Sequence, residues 1–169
     1  MRVYVPVAKQ LLEVEPVLAA IRAAGADPVG VCLVEEDDYW SLLTELWSMA
    51  DEFTVVEHDV VIEPDTLDRF NACASGWCAQ RYAYFVGPYA GLGCMRFRSR
   101  LITRNPDALR RVGTMSDPTH PARHWCRLDA WLQQVLSASG ETLCIHEGTL
   151  EHLGGTVPSH GCVAGLQTE

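Results

Sequence analysis

Two carboxylates, Glu57 and Asp59, stand two residues apart where a short apolar run, Phe53-Thr54-Val55-Val56, gives out. A run of this kind, rich in β-branched residues, reads as a buried strand. Side chains two apart on a strand point the same way, so both carboxylates converge on one point just outside the sheet. Converging carboxylates repel unless a proton or a cation lies between them. Oxygen ligands suit Mg²⁺ or Mn²⁺, above all where substrate phosphates complete the shell. A third carboxylate, Asp129, falls in the segment 124–136. There Trp125, Leu128, Leu132, Val135 and Leu136 share one helix face, and Asp129 lies on it with them. A carboxylate so placed is either paired, with Arg127 or Arg123, or held near a cleft where its proton affinity rises.

Four further groupings have chemical potential. Arg96, Arg98, Arg100, Arg104, Arg110 and Arg111 face a single acidic residue, Asp107, in the same window. Arginine grips phosphate through two parallel donors, so the cluster reads as a site for a diphosphate or for a phosphate-rich acceptor such as DNA. The competing reading is solvated surface charge, helix-end charge and pairing with acidic neighbours. The run Glu35-Glu36-Asp37-Asp38 likewise reads either as carboxylates for the hydroxyls of a ribose or as a charged turn with a helix cap. The glycines of Gly87-Pro88-Tyr89-Ala90-Gly91-Leu92-Gly93 allow a ligand to approach the backbone closely. Cys144-x-His146 and His160-x-Cys162 offer four ligands of the kind tetrahedral zinc takes. That last pattern defines an alternative from another class, a zinc-stabilised binding module.

The elements that must position these groups follow from periodicity. Residues 2–7 read as a first strand with Pro6 at its end, and 11–24 as a helix with Val14, Val17, Leu18 and Ile21 on one stripe and Gly25 as its cap. Residues 28–34 give a second strand and 39–49 a second helix, with Asp38 as N-cap. The strand ending at Glu57 is the third. Strand-helix alternation of this kind predicts a parallel sheet with right-handed crossovers. A helix is expected over 65–73, irregular chain over 77–81, strands over 82–86 and 94–97, a lid-like loop over 113–123, a helix over 124–136 and a strand over 143–146. Neither the Gly-x-Gly-x-x-Gly turn nor the phosphate loop ending in Lys-Ser/Thr is present, which counts against a dinucleotide dehydrogenase or a P-loop kinase.

Composition narrows the field. The chain has 169 residues, enough for one sizeable core. A net charge of −9 argues against nonspecific nucleic-acid binding by the whole surface, without excluding a local basic site. No apolar run reaches the roughly 18 residues of a membrane helix, and no secretory signal is apparent. The seven cysteines are odd in number and read as reduced thiols, so the expected location is the cytoplasm.

Residues 55–67, Val-Val-Glu-His-Asp-Val-Val-Ile-Glu-Pro-Asp-Thr-Leu, resemble the acidic metal motif of GT-A-fold glycosyltransferases, with Glu57 at the first acidic position. Gly91-Leu92-Gly93-Cys94-Met95-Arg96-Phe97 resembles that family's glycine-containing strand entry, and Arg127-Leu128-Asp129 its acidic helix start. The resemblance spans about residues 1–155. It implies a single Rossmann-like α/β domain over 1–157, with a mostly parallel central sheet flanked by helices, and a tail over 158–169. It implies Mn²⁺ or Mg²⁺ held by Glu57, Asp59 and a late histidine. His152 fits that role best, because a Gly-Gly turn follows it, and His146 is the runner-up. It further implies a UDP- or GDP-sugar contacted by Asp37, Asp38, Glu57, Gly91, Gly93, Arg96 and Arg98, and Asp129 as the base toward an acceptor hydroxyl. A modified nucleic-acid base in DNA is one acceptor the arginines would suit. The departures at Glu57 and Leu128 also admit a catalytically degenerate nucleotide-binding domain.

Overall fold

A computed structural model describes residues 1–8, 14–35, 37–82 and 93–153. In chain order the elements are β1 (Arg2–Ala8), α1 (Glu15–Ala23), β2 (Pro28–Leu33), α2 (Asp38–Ser48), β3 (Phe53–Val56), β4 (Val60–Val61), α3 (Thr66–Ala72), β5 (Trp77–Tyr82), β6 (Cys94–Phe97), α4 (Ser99–Arg104), α5 (Ala108–Val112), α6 (Trp125–Ala138) and β7 (Cys144–His152). The central sheet has six strands in the order β2-β1-β3-β6-β5-β7, and the two-residue β4 adds to the outer side of β7. β1 runs parallel to β2 and β3, and β5 parallel to β7; β6 opposes both its neighbours. The α/β architecture with helices on both faces is the one the alternation predicts.

Period-two alternation sorts the side chains between two apolar layers. Tyr4, Phe53, Val55, Trp77, Ala79, Met95 and Phe97 face α2, α4, α5 and α6. Val3, Val5, Val56, Cys78 and Cys94 face α1 and α3, where Val17, Ile21, Leu67 and Phe70 meet them. The first layer is anchored by aromatic contacts, with Phe97 5.1 Å from Phe53 and 5.5 Å from Trp47 between ring centroids. Each such buried ring contributes roughly 1.5–3 kcal/mol over an exposed one.

Several boundaries differ from expectation for physical reasons. Pro6 lies inside β1, and it is tolerated because β3 pairs only as far as Tyr4↔Val55. Beyond that point β1 has β2 alone as a ladder partner. Helix α1 starts at Glu15, with proline in its first turn. Residues 77–81, expected to be irregular, form most of β5. Their polar members hide the pattern, and Gln80 is fully buried, its Nε2 donating to the Glu147 carbonyl at 3.2 Å. Strand β7 runs six residues past its expected end, crossing Gly148 at φ +137°. Residues 83–86 and the tail from 158 lie outside the described residues. Cys32, Cys73, Cys78, Cys94 and Cys144 are free thiols. Cys126 is disulfide-bonded, which corrects the expectation of a wholly reduced set; sequence spacing says nothing of the Cα separation that permits a bridge. Among the described residues, no helix is long and apolar enough to cross a membrane.

Candidate active site

The carboxyl ends of β2 and β3 and the first turns of α2 and α6 meet at one end of the sheet. In open α/β sheets this is where ligands bind. Glu57 follows β3 directly, and its backbone N–H donates to the Gly93 carbonyl at 2.9 Å. The chain then turns, with Val60 N–H donating back to the Glu57 carbonyl at 3.1 Å. Inside this turn the His58 ring Nδ1 lies 3.0 Å from the Pro6 carbonyl, which ties it to the end of β1. Asp59 is held by its own carbonyl, which accepts the Leu153 N–H at 2.8 Å. Glu57, His58 and Asp59 are all half-buried.

The residue that gathers this site is Tyr39, in the first turn of α2. It is 5% exposed, and no hydrogen bond of normal geometry reaches its hydroxyl. Burial raises the proton affinity of the phenol well above the usual range. The carboxylates of Glu57, Asp129 and Asp59 raise it further, Glu57 most strongly and in line to accept its proton. Carboxylates from two distant stretches, Glu57 with Asp59 and Asp129, therefore act on one buried neutral donor. Sequence reasoning missed Tyr39, which reads there only as one apolar position of an amphipathic helix.

Asp129 occupies the second turn of α6, whose start is capped by His124 accepting the Cys126 N–H at 3.3 Å. Burial pushes its carboxyl up to about 6, against the Ala130 N–H, which donates to Oδ1 at 2.6 Å, and against the charge of Arg127. The arginines that could neutralise it are committed elsewhere. Arg127 Nε lies 2.9 Å from Asp117, and Arg123 sits 4.2 Å above the Trp40 ring. The segment 113–123 is built around Asp117, whose carboxylate accepts from the Thr119 hydroxyl and N–H and from the His120 N–H.

The late histidines separate in register. On β7, His152 pairs with Val60, one residue from Asp59, whereas His146 pairs with Gln80 in the middle of β5. Asp38 turns inward to its own loop: its Oδ2 accepts the N–H groups of Val34 and Glu35 at 2.7 and 2.9 Å. The Glu35 and Val34 amides hold its carboxyl below the ordinary value. Asp37 is exposed at the N-cap of α2. Gly93 touches Glu57 through its carbonyl, and Gly91 lies outside the described residues.

Arg96 and Arg98 are placed at the other end of the sheet. Both approach Glu52, at 3.9 and 3.8 Å, just before β3 begins. Arg96 is fully buried on the α3 face and donates to the Cys73 carbonyl; Arg98 donates to the carbonyls of Asn71 and Cys73, and Arg100 to that of Ala74. Three arginines thus serve the open carbonyls at the carboxyl end of α3. Arg104 pairs with Glu141 and Arg110 with Asp107. The helix-end and pairing reading describes this cluster, and a donor-phosphate role for Arg96 and Arg98 is set aside on their position.

No family model and no curated protein matches the sequence. Among solved structures, the chain is similar to a glycosyltransferase involved in the glycosylation of the major capsid of PBCV-1. The TM-score is 0.52 at 10% identity, over 87% of this chain and 82% of that one. It is also similar to A197 from STIV, with a TM-score of 0.50 at 12% identity, over 87% and 82% of the two chains. Likeness at such identities is one of fold. The chain has the α/β fold of GT-A-type glycosyltransferases.

Proposed function

We propose that the chain is a metal-dependent glycosyltransferase, moving a sugar from a nucleotide-sugar to an acceptor hydroxyl. The observation that carries this reading is that Glu57, Asp59 and Asp129, from the end of β3 and from α6, all act on buried Tyr39 at the ligand-binding end of the sheet. The donor set fits Mn²⁺ or Mg²⁺, since hard cations take oxygen and commonly use one or two carboxylates plus substrate phosphates. Among the described residues, no third His, Cys, Asp or Glu closes on Glu57 and Asp59 within metal-ligand distance. Glu57 and Asp59 would hold the ion, with His152, whose backbone pairs with Val60 beside them, as the proposed third protein ligand. Such an ion supplies charge neutralisation for a leaving diphosphate.

The chain's own residues do the rest. The Tyr39 hydroxyl orients the Glu57 carboxylate, and the Gly93 carbonyl fixes its backbone. Asp129 takes the proton from the acceptor hydroxyl as the new glycosidic bond forms. A base near 6 does this better than an ordinary carboxylate while remaining ionised at neutral pH. The arginines that would have favoured a nucleic-acid acceptor are engaged within the chain, so the acceptor is proposed only as a hydroxyl. The test is turnover of a panel of UDP- and GDP-sugars with Mn²⁺, Mg²⁺ or chelator, in wild type and Asp59→Asn. Metal-dependent donor cleavage that Asp59→Asn abolishes is the expected result. A folded wild type that neither binds nor cleaves any donor with metal present overturns the reading.

A further inference from the structure

The opposite face of the sheet holds a second group of metal-ligating side chains, distant from the carboxylates. Cys73 caps the carboxyl end of α3, Cys78 lies on β5, and Cys144 and His146 lie on β7. Parallel register sets Cys144 beside Cys78 and His146 beside Gln80, so Cys78, Cys144 and His146 share one sheet face, with the end of α3 above it. The ligand atoms of Cys73, Cys78 and His146 all lie within 4.8 Å of one another. Cys144 Sγ is 4.0 Å from His146 Nε2. All three cysteines are free thiols. Cys73 and Cys78 are buried, whereas Cys144 and His146 are half-buried and give an ion a way in. The Phe70 ring packs on the imidazole, centroids 5.5 Å apart.

A second observation points to a charge that belongs there. Arg96 is 0% exposed, and its Nε and Nη1 have no hydrogen-bond partner. Its only carboxylate neighbour among the described residues, Glu52, is 3.9 Å away. A buried guanidinium so loosely compensated is costly. Three thiolates, one neutral imidazole and one dication carry a net charge of about −1, which would balance it.

We infer that Cys73, Cys78, Cys144 and His146 form a structural zinc site that fastens the end of α3 to β5 and β7. Four protein ligands leave no open position, as structural sites require. Binding releases three thiol protons as three Zn–S bonds form, and His146 enters neutral. Tetrahedral zinc sets sulfurs about 3.8 Å apart, so Cys73 and Cys78 close up by about 1 Å or less, while Cys144, which lies outside the 4.8 Å group, swings in from beside His146 to complete the shell.

The site differs from the zinc module that the sequence suggested, because Cys144 and His146 find their partners in Cys73 and Cys78. It is also independent of transfer chemistry. The test uses the full chain, purified in a non-thiol reductant without chelator. We expect about one zinc per chain, and Co²⁺ exchange giving a tetrahedral spectrum with a thiolate charge-transfer band. Alkylation read by mass spectrometry should spare Cys73, Cys78 and Cys144 until a strong chelator is added, and label exposed Cys32 throughout. Cys144→Ser, at the rim, should lower zinc affinity at least about tenfold, and Asp59→Asn should leave zinc content unchanged. Less than about a tenth of a zinc per chain without a cobalt–thiolate band overturns the inference. So does labelling of the three cysteines that ignores the chelator, or a disulfide among them.

Discussion

The hydroxyl of Tyr39 faces the carboxylate of Glu57, although one belongs to the start of a helix and the other to the end of a strand. A buried hydroxyl without a regular hydrogen bond is a poor contribution to stability. Its value lies in orienting the carboxylate beside it. Tyr39→Phe keeps the ring and its packing. The variant should melt within a few degrees of wild type, while Mn²⁺ affinity falls by about tenfold or more, as losses of ligand-orienting groups do. Calorimetric titration measures this directly. Unchanged Mn²⁺ affinity would reduce Tyr39 to a core filler.

The arginine segment makes the opposite kind of prediction. Arg98 donates to two carbonyls at the end of α3, at 3.0 and 2.7 Å. Arg98→Ala leaves those carbonyls to water or to nothing, at a cost of roughly 1–3 kcal/mol. Denaturant unfolding should show that loss. Nucleotide affinity and its salt dependence should stay as in wild type. A steep salt dependence that disappears in the variant would return Arg98 to a phosphate site.

The contrast between these two residues explains what was legible in the chain. The carboxyl end of β3 could be placed because an apolar run marks a buried strand and chain direction fixes which end of a parallel sheet it reaches, whereas Glu57 and Asp59 lie in the turn beyond Val56, where strand periodicity no longer sets which way side chains point. Short apolar runs likewise located β1, β2 and β3, and a buried stripe of helical period located α6. Arg96 and Arg98 could not be placed in the same way. Their partners are backbone carbonyls some 25 residues away, and carbonyls have no signature in sequence. Tyr39 was hidden because a buried phenol and a buried phenylalanine give the same pattern. The Cys73–Cys78–Cys144–His146 group needed the β5–β7 register, and β5 itself was obscured by buried Gln80.

Gly148 carries the path of β7 from that register to the acidic turn. Its φ of +137° is one L side chains rarely adopt, and the β5–β7 register shifts beside it. A Cβ there would collide with the Gln80 amide and lie 2.7 Å from Glu63 Oε2 and 2.9 Å from Arg69 Nη1. Those two side chains pair at 2.5 Å, and Arg69 also donates to the Glu147 carbonyl at 2.9 Å. Backbone strain and the displaced ion pair act together, so Gly148→Ala should lose about 2 kcal/mol or more. A thermal melt reads the loss. A variant as stable as wild type would mean that β7 follows another path to His152.

Asp129 joins stability and chemistry in one titration. Its folded-state pKa, about 6, stands above the ordinary carboxyl value of 3.8 because burial disfavours the charge. The folded state therefore holds this proton more tightly than the unfolded state does. Ionisation costs stability, and the cost is fully present above about pH 6 and vanishes as pH falls toward 4. Asp129→Asn imitates the protonated form. Without metal, it should be more stable than wild type by on the order of 2 kcal/mol at pH 8, and equal to it near pH 4. Turnover runs the other way, because only the ionised carboxylate can accept a proton. The wild-type rate should climb tenfold per pH unit below about 6 and level off above it. The variant should bind donor and metal normally yet turn over about a hundredfold or more slower at every pH, with that inflection gone. Thermal melts at the two pH values and a pH–rate profile of both proteins test the pair of effects. A variant destabilised at pH 8 would show a carboxylate that the fold needs ionised, and a fully active variant would place the base elsewhere.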